Sequence, residues 1–260
     1  MPCYCQKTKL PATALFYCAL LISLFTTISC QQSQKKYTTY SSVFQHFIDS
    51  ARGGNDTMTP TELSMISHGL IDIESVDTLF IINIKYSTTD NFLKTDIYGE
   101  YNKAYLQAEV AAKLLKAQNL LSEMQPGYRL LIFDAARPVK CQQMLWDALK
   151  MPSREKGKFA SNPARGSLHN YGAAVDLSIV DEKGHELDMG CGFDYFGLLA
   201  YPVMENQLLA EGKLTKAQVD NRKLLRLVMH QAGFFNIQTE WWHFNSCSRE
   251  VAKSKYKLLE

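Results

Sequence analysis

Two short stretches of the 260-residue chain carry side chains suited to metal chemistry. The first runs Gly166-Ser167-Leu168-His169-Asn170-Tyr171-Gly172-Ala173-Ala174-Val175-Asp176. An Asp inside an otherwise apolar segment is costly to bury unless it is paired or bound to a cation. Gly172, Ala173 and Ala174 crowd around it, as suits a backbone that must come close to a site. His169 stands just before, within reach of the same point. Zinc accepts imidazole nitrogen and carboxylate oxygen, and a His₂Asp set favours it over magnesium or calcium. The second stretch, Thr239-Glu240-Trp241-Trp242-His243, supplies the third ligand in His243. Three protein ligands, His169, Asp176 and His243, leave a fourth position open for water, whose pKa zinc lowers from ~16 to about 7. Glu240 is then placed to take a proton during attack on a carbonyl and to pass it to the leaving amine.

Other candidates surround this set. Arg137, in Phe133-Asp134-Ala135-Ala136-Arg137-Pro138, offers a cation for the oxyanion that such an attack generates. An Arg at that place equally caps the next helix or pairs with Asp134. Trp241 and Trp242 wall the site or simply fill core. His46, His68, His185 and His230 are isolated and read as surface or satisfied core residues. Of these only His185, in a polar loop, offers a substitute ligand.

The elements that must position these residues follow from pattern. Ala173 to Val180 is a strand with Ala174, Asp176 and Ser178 on one face and Val175, Leu177 and Ile179 on the other. Phe234 to Phe244 is the last extended segment. Residues three apart on a flat strand point oppositely, so joining Glu240 and His243 in one site requires a bulge, or a strand that starts after Glu240. Arg129 to Phe133 is a short strand and Asp134 to Arg137 a turn. Pro138 opens a helix running to about Lys150. Leu106, Val110, Leu114, Ala117 and Leu121 predict a helix over Lys103 to Met124, stopped by Pro126-Gly127. Further helices are expected at Ser42 to Ser50, Asn206 to Ala210 and Thr215 to Gln231, the last stopped by Gly233. A strand is expected at Leu79 to Ile84. Loops or turns are expected at Arg52 to Asp56, Met151 to Ser167 and Asp181 to Gly184. Strands and helices without βαβ alternation predict an α+β fold, a small antiparallel sheet flanked by helices with the metal site on the sheet.

Composition bounds the rest. Apolar residues make up 46% of the chain, enough for a sizeable core. With 28 basic against 26 acidic residues the net charge is +2, which excludes the concentrated basic surface of a nucleic-acid binder. There are no internal repeats or low-complexity segments. Lys7 and Lys9 precede an uncharged, mostly apolar stretch from Leu10 to Ser29, the pattern of an export signal over residues 1–29. Thr27-Ile28-Ser29-Cys30 resembles a lipobox, which makes Cys30 a lipidation site and the new N-terminus at a membrane surface. Residues 30–45 read as a polar tether and 46–260 as one domain of an exported, membrane-anchored lipoprotein of the cell envelope. Outside that leader remain Cys141, Cys191 and Cys247, with no CxxC pair. An oxidising compartment allows one disulfide, and Cys191–Cys247 is the favoured pair.

The chain resembles the D-alanyl-D-alanine dipeptidases, within a wider group of zinc peptidases that includes D-Ala-D-Ala carboxypeptidases. The resemblance spans roughly residues 70 to 250. It rests on Ser167-x-His169 through Asp176, Glu240-Trp241-Trp242-His243 and Asp134-x-x-Arg137-Pro138. Tyr86-Ser87-Thr88-Thr89-Asp90-Asn91-Phe92 and Asp188-Met189-Gly190-Cys191-Gly192-Phe193-Asp194 favour the dipeptidase branch. It implies one zinc per chain on His169, Asp176 and His243, Glu240 as base and Arg137 steadying the tetrahedral intermediate. It also implies that Ser167, Tyr86 and Asp194 line the pocket for a small D-amino-acid dipeptide. The chain departs from the family in having Ala135-Ala136 where an aromatic often precedes the Arg, and in its leader. An exported enzyme suits recycling of wall-derived dipeptides. Two alternatives stand beside this: a carboxypeptidase or endopeptidase acting on longer wall peptides, and a non-catalytic wall-binding lipoprotein. Retention of Glu240, needed for turnover and not for metal binding, argues against the last.

Overall fold

The computed structural model describes residues 58–99, 101–157 and 160–260. The expected leader, tether, Cys30, His46, the Ser42–Ser50 helix, the Arg52–Asp56 loop and the domain start at residue 46 lie outside them. The described residues fall in the compact unit Met58–Glu260. In chain order they form α1 (Pro60–Ser67), β1 (Leu70–Asp72), β2 (Ile81–Ile82), β3 (Tyr105–Gln107), α2 (Ala108–Met124), β4 (Arg129–Asp134) and α3 (Val139–Ala148). Then follow α4 (Ser153–Lys156), β5 (Ala174–Val180), α5 (Glu205–Ala210), α6 (Lys216–Gln231), β6 (Phe235–Asn236), β7 (His243–Asn245) and α7 (Arg249–Lys255). The fold is α+β, with a five-stranded sheet ordered β2-β4-β5-β7-β6 and a separate β1-β3 pair.

The centre of the sheet is its most apolar part. Every residue of β5 is buried, as are all but the first of β4. Val110, Leu114, Ala117 and Leu121 form the buried stripe of α2, which packs against β4 and against α6. The Val and Leu side chains of this stripe gain roughly 1.5–3 kcal/mol each on full burial, so this layer holds the strands that carry the site. α6 begins at a capping box in which Thr215 and Gln218 satisfy each other's backbone N–H.

The structure departs from expectation in several places, among them the expected loop Met151 to Ser167, which contains the short helix α4. Helix α2 begins at Ala108, not Lys103, because Tyr105–Gln107 pairs with Leu70–Asp72 as β3. Leu106 therefore belongs to a strand, although its spacing fits the helical stripe. The strand expected at Leu79 to Ile84 is only Ile81–Ile82, since the chain turns at Ile84 into a 3₁₀ turn over Lys85–Ser87. This edge strand runs parallel to β4, so the sheet is mixed. The path between the two contains α2, the kind of crossover a parallel pair needs. The final extended segment is split into β6 and β7. Cys191 and Cys247 are both free thiols. Cys191 lies beside Arg222 Nη2 at 3.6 Å, whereas Cys247 packs against the cluster of Leu168, Tyr171, Ala173, Ala174 and Ala252.

Asp72 gives a stability prediction. It caps a 3₁₀ turn, its Oδ1 accepting from Glu74 N at 3.1 Å, and burial pushes its carboxyl up to about 6. The folded state thus binds a proton that the unfolded chain releases near pH 4, and stability falls as pH rises from about 4 to 6. Asp72→Asn keeps the capping oxygen without the charge. It is expected to raise stability by ~1–3 kcal/mol at pH 7.5 and far less at pH 4, measured by urea unfolding at both.

Candidate active site

Register builds the site. The ladders pair Asp134 at the end of β4 with Asp176 on β5, and Asp176 with His243 at the start of β7. Residues opposite each other on neighbouring strands share a face, so two carboxylates and an imidazole project together from the sheet. A register shift between Ile132 and Asp134 lets the row close. Glu240 sits in the loop between β6 and β7, and the strand starts at His243. That is the second of the two geometries its spacing allowed.

His169 comes from the 3₁₀ turn Leu168–Tyr171 before β5. Ser167 caps the turn, its Oγ accepting from His169 N at 3.3 Å while Asn170 Oδ1 accepts from Ser167 N at 2.6 Å. Gly172 ends it with φ +62°, and a Cβ there would meet Leu70 Cδ2 at 2.7 Å. Only glycine serves both demands. The turn is stitched to the Asp134–Arg137 turn: Arg137 N donates to His169 O at 2.9 Å and Asn170 Nδ2 to Arg137 O at 2.7 Å.

Three ligand atoms converge. His169 Nε2 and His243 Nδ1 are 3.1 Å apart, and Asp176 Oδ1 lies 3.4 and 2.8 Å from them. A tetrahedral zinc with bonds near 2.05 Å spaces its ligands about 3.3 Å apart, so the set fits the ion. The outer nitrogens explain the orientation. His169 Nδ1 donates to Ala135 O at 2.6 Å and His243 Nε2 to Asn245 Oδ1 at 2.9 Å, leaving both inner nitrogens as lone pairs. Two such nitrogens beside a carboxylate call for a cation. Burial works against charge on His169, yet the Asp176 carboxylate overrides it and raises its pKa. Burial would likewise raise Asp176, but His169 and His243 draw it far below the usual carboxylate range.

Around this centre lies a cavity of about 170 Å³ whose lining includes Tyr86, Arg137, Ser167, Asp194, Glu240 and Trp242. Burial pushes Glu240 up to about 7. Asp194, with φ +60°, accepts from Tyr86 Oη at 3.0 Å, and burial raises its carboxyl to about 7. Asp188 is structural: it takes hydrogen bonds from Gln218 and Asn221 of α6, and Arg222 Nε holds Met189 O at 2.6 Å. These bonds fix the segment that presents Asp194. Phe92, which lines the cavity, meets Phe196 edge-on at 4.9 Å. Trp242 is a cavity wall and Trp241 is core, its Nε1 donating to Cys191 O at 3.2 Å.

All the sequence-designated residues in the described part thus meet at one place. His185 does not; it is exposed and faces Asp181 at 3.5 Å. Sequence reasoning offered Asp134 as a partner of Arg137, which it is, but missed the Phe92–Phe196 contact and Asn245. The last had a usable signal, since His243 and Asn245 are two apart on a strand and share a face.

Arg137 has both roles that its position suggested. Its Nε donates to Asp134 at 3.0 Å, its Nη2 also bonds Asp134, and Nη1 donates to Gln142 at 2.9 Å, while Nη2 stays 3.8 Å from Asp176 at the cavity. Arg137→Ala is expected to lower kcat by about 10²–10³. It should also cost ~3–5 kcal/mol of stability, because Asp134 is left buried and unpaired. Measuring kcat per folded molecule separates the two; unchanged kcat would make Arg137 scaffold alone.

A buried two-His, one-carboxylate centre with a carboxylate base beside it and a guanidinium within reach defines the site of a metallopeptidase. Residues 66–258 match the Peptidase_M15 family, described as D-ala-D-ala dipeptidase, and the chain belongs to that family of zinc-dependent peptidases. The D-alanyl-D-alanine dipeptidase of Escherichia coli K12 is 33% identical over 175 residues, covering 67% of this chain and 83% of that protein. That of Enterococcus faecium is 30% identical over 175 residues, covering 62% and 82%. That of Synechocystis sp. is 26% identical over 168 residues, covering 54% and 68%.

Proposed function

We infer that the protein hydrolyses the dipeptide D-alanyl-D-alanine to two D-alanines. The observation that carries this is the size of the cavity. A cavity of about 170 Å³ beside the three convergent ligands suits a small substrate on the scale of a dipeptide. The relatives that bear the dipeptidase name support the same substrate and its stereochemistry. His169, Asp176 and His243 hold zinc, which supplies Lewis-acid charge that polarises a carbonyl and readies water for attack near neutral pH. Glu240 takes the proton of the attacking water and hands it to the departing amine. Arg137 faces the negative charge that develops on the carbonyl oxygen. Asp194, whose hydrogen-bond partner among the described residues is the Tyr86 hydroxyl, receives the substrate's ammonium group.

The test is release of D-alanine by the purified protein, with chelator and with zinc restored. Metal-dependent release from D-Ala-D-Ala and none from L-Ala-L-Ala is expected. Release only from longer peptides ending in D-Ala would move the assignment to a carboxypeptidase.

The location is a second part of the proposal. The charged start, the apolar run to Ser29 and Thr27-Ile28-Ser29-Cys30 support export and lipid attachment at Cys30, with the enzyme recycling wall-derived dipeptides at a membrane surface. Among the described residues no helix is long and apolar enough to cross a membrane. Labelled fatty acid should enter the wild type and not Cys30→Ser; equal labelling of both would end the lipid assignment.

A further inference from the structure

We propose that Arg249 selects the substrate's C-terminal carboxylate, which makes the enzyme specific for peptides with a free carboxyl end. The proposal rests on the dipeptide reading above and deepens it. The side chains lining the cavity include three carboxylates, Asp176, Asp194 and Glu240, and two guanidinium groups, Arg137 and Arg249. An unmodified dipeptide is a zwitterion. Its ammonium end has an anion waiting in Asp194, but its carboxylate must enter among like charges unless a cation meets it.

Arg137 is poorly placed for that duty, because its guanidinium is bound by Asp134 and Gln142. Arg249 is different. It opens α7 just after the capping residue Ser248, and it is half-buried at the cavity. Among the described residues its one hydrogen bond is from Nη1 to the Arg165 carbonyl at 3.1 Å, and it makes no ion pair there with an acidic side chain. A guanidinium has five N–H donors in a flat fork, so most of its capacity remains free. That fork matches a carboxylate with two parallel charge-assisted hydrogen bonds. The carbonyl that orients Arg249 takes up one donor, and although the adjacent Glu250 feels its charge, no carboxylate of the described residues occupies the fork.

The experiment measures binding by calorimetry on zinc-loaded Glu240→Ala protein, which holds substrate without consuming it. The probes are D-Ala-D-Ala and its C-terminal amide. With Arg249 intact the free acid should bind more tightly than the amide. Arg249→Gln should weaken the free acid by about 10–100-fold and leave the amide unchanged. Arg249→Lys should recover part of the loss. Zinc content and thermal midpoint, unchanged across the variants, exclude a folding defect. Equal weakening of both probes, or of neither, overturns the proposal. Failure of the wild type to release D-alanine overturns the dipeptide reading instead. In that case the same comparison is made with a longer D-Ala-ended peptide and its amide, since the carboxylate end is common to both, and the same outcomes decide.

Discussion

Replacing Glu240 with Ala is expected to leave a folded, zinc-loaded protein whose turnover of D-alanyl-D-alanine falls by on the order of 10²–10⁴. The separation of binding from turnover follows from position. Glu240 lies in the loop before β7 and lines the cavity, but it is not one of the three residues whose ligand atoms converge. Removing it takes away a proton acceptor and leaves the His169, Asp176 and His243 donors where the sheet holds them. The pH dependence carries the same sign. Burial pushes the Glu240 carboxyl up to about 7, and a dication at the neighbouring ligands draws it down from there. A base works only when deprotonated, so the rate should fall as pH drops through that loaded value, somewhat below 7. Glu240→Gln should lose this acid limb together with most of the rate. Stopped assays across pH 5 to 8, with zinc measured on the same samples, decide the matter. A variant that keeps both rate and limb removes Glu240 from the chemistry.

Asp176→Ala should go further, to activity at the level of buffer, because it empties the metal site. Asp176 is the only anion in the ligand set, and it stands between two imidazole nitrogens that are 3.1 Å apart. Without it, a dication must be held by two neutral donors. The fold should survive, since the rest of β5 is fully buried and apolar apart from Ser178, and the Asp134–Arg137 pair is untouched. Zinc added to the wild type is expected to raise its thermal midpoint, as any ligand of the folded state does. The same addition should leave Asp176→Ala unmoved. Stoichiometric zinc in the variant would show that the ion sits elsewhere.

The chemistry of this protein was more legible in its sequence than its architecture. Asp176 stood out because a charge on an apolar strand needs a reason, and the spacing of Glu240 and His243 forced a strand break where the structure has one. Ser167, Tyr86 and Asp194 carried no such physical signal and came from resemblance. What stayed hidden depends on partners distant in the chain. Nothing near Tyr105 says that Leu70–Asp72 will claim it for a strand, since helical spacing through Leu106 is equally good locally. The row of Asp134, Asp176 and His243 is a fact of register, which no single strand states. The Cys191–Cys247 pairing failed for the same reason: closeness to two motifs in sequence does not bring two sulfurs together.

The stitching of the two turns has a consequence for how the metal comes and goes. His169 is fixed by Ala135 O through its ring and by Arg137 N through its carbonyl, both independent of any ion. His243 and Asp176 are pinned by the ladder. The socket therefore keeps its shape when empty, unlike small domains that exist only around their zinc. Stripping and reloading is then a reversible exchange at a standing receptacle, governed by access and proton release and not by refolding. An enzyme built this way can be made without metal and filled where it works.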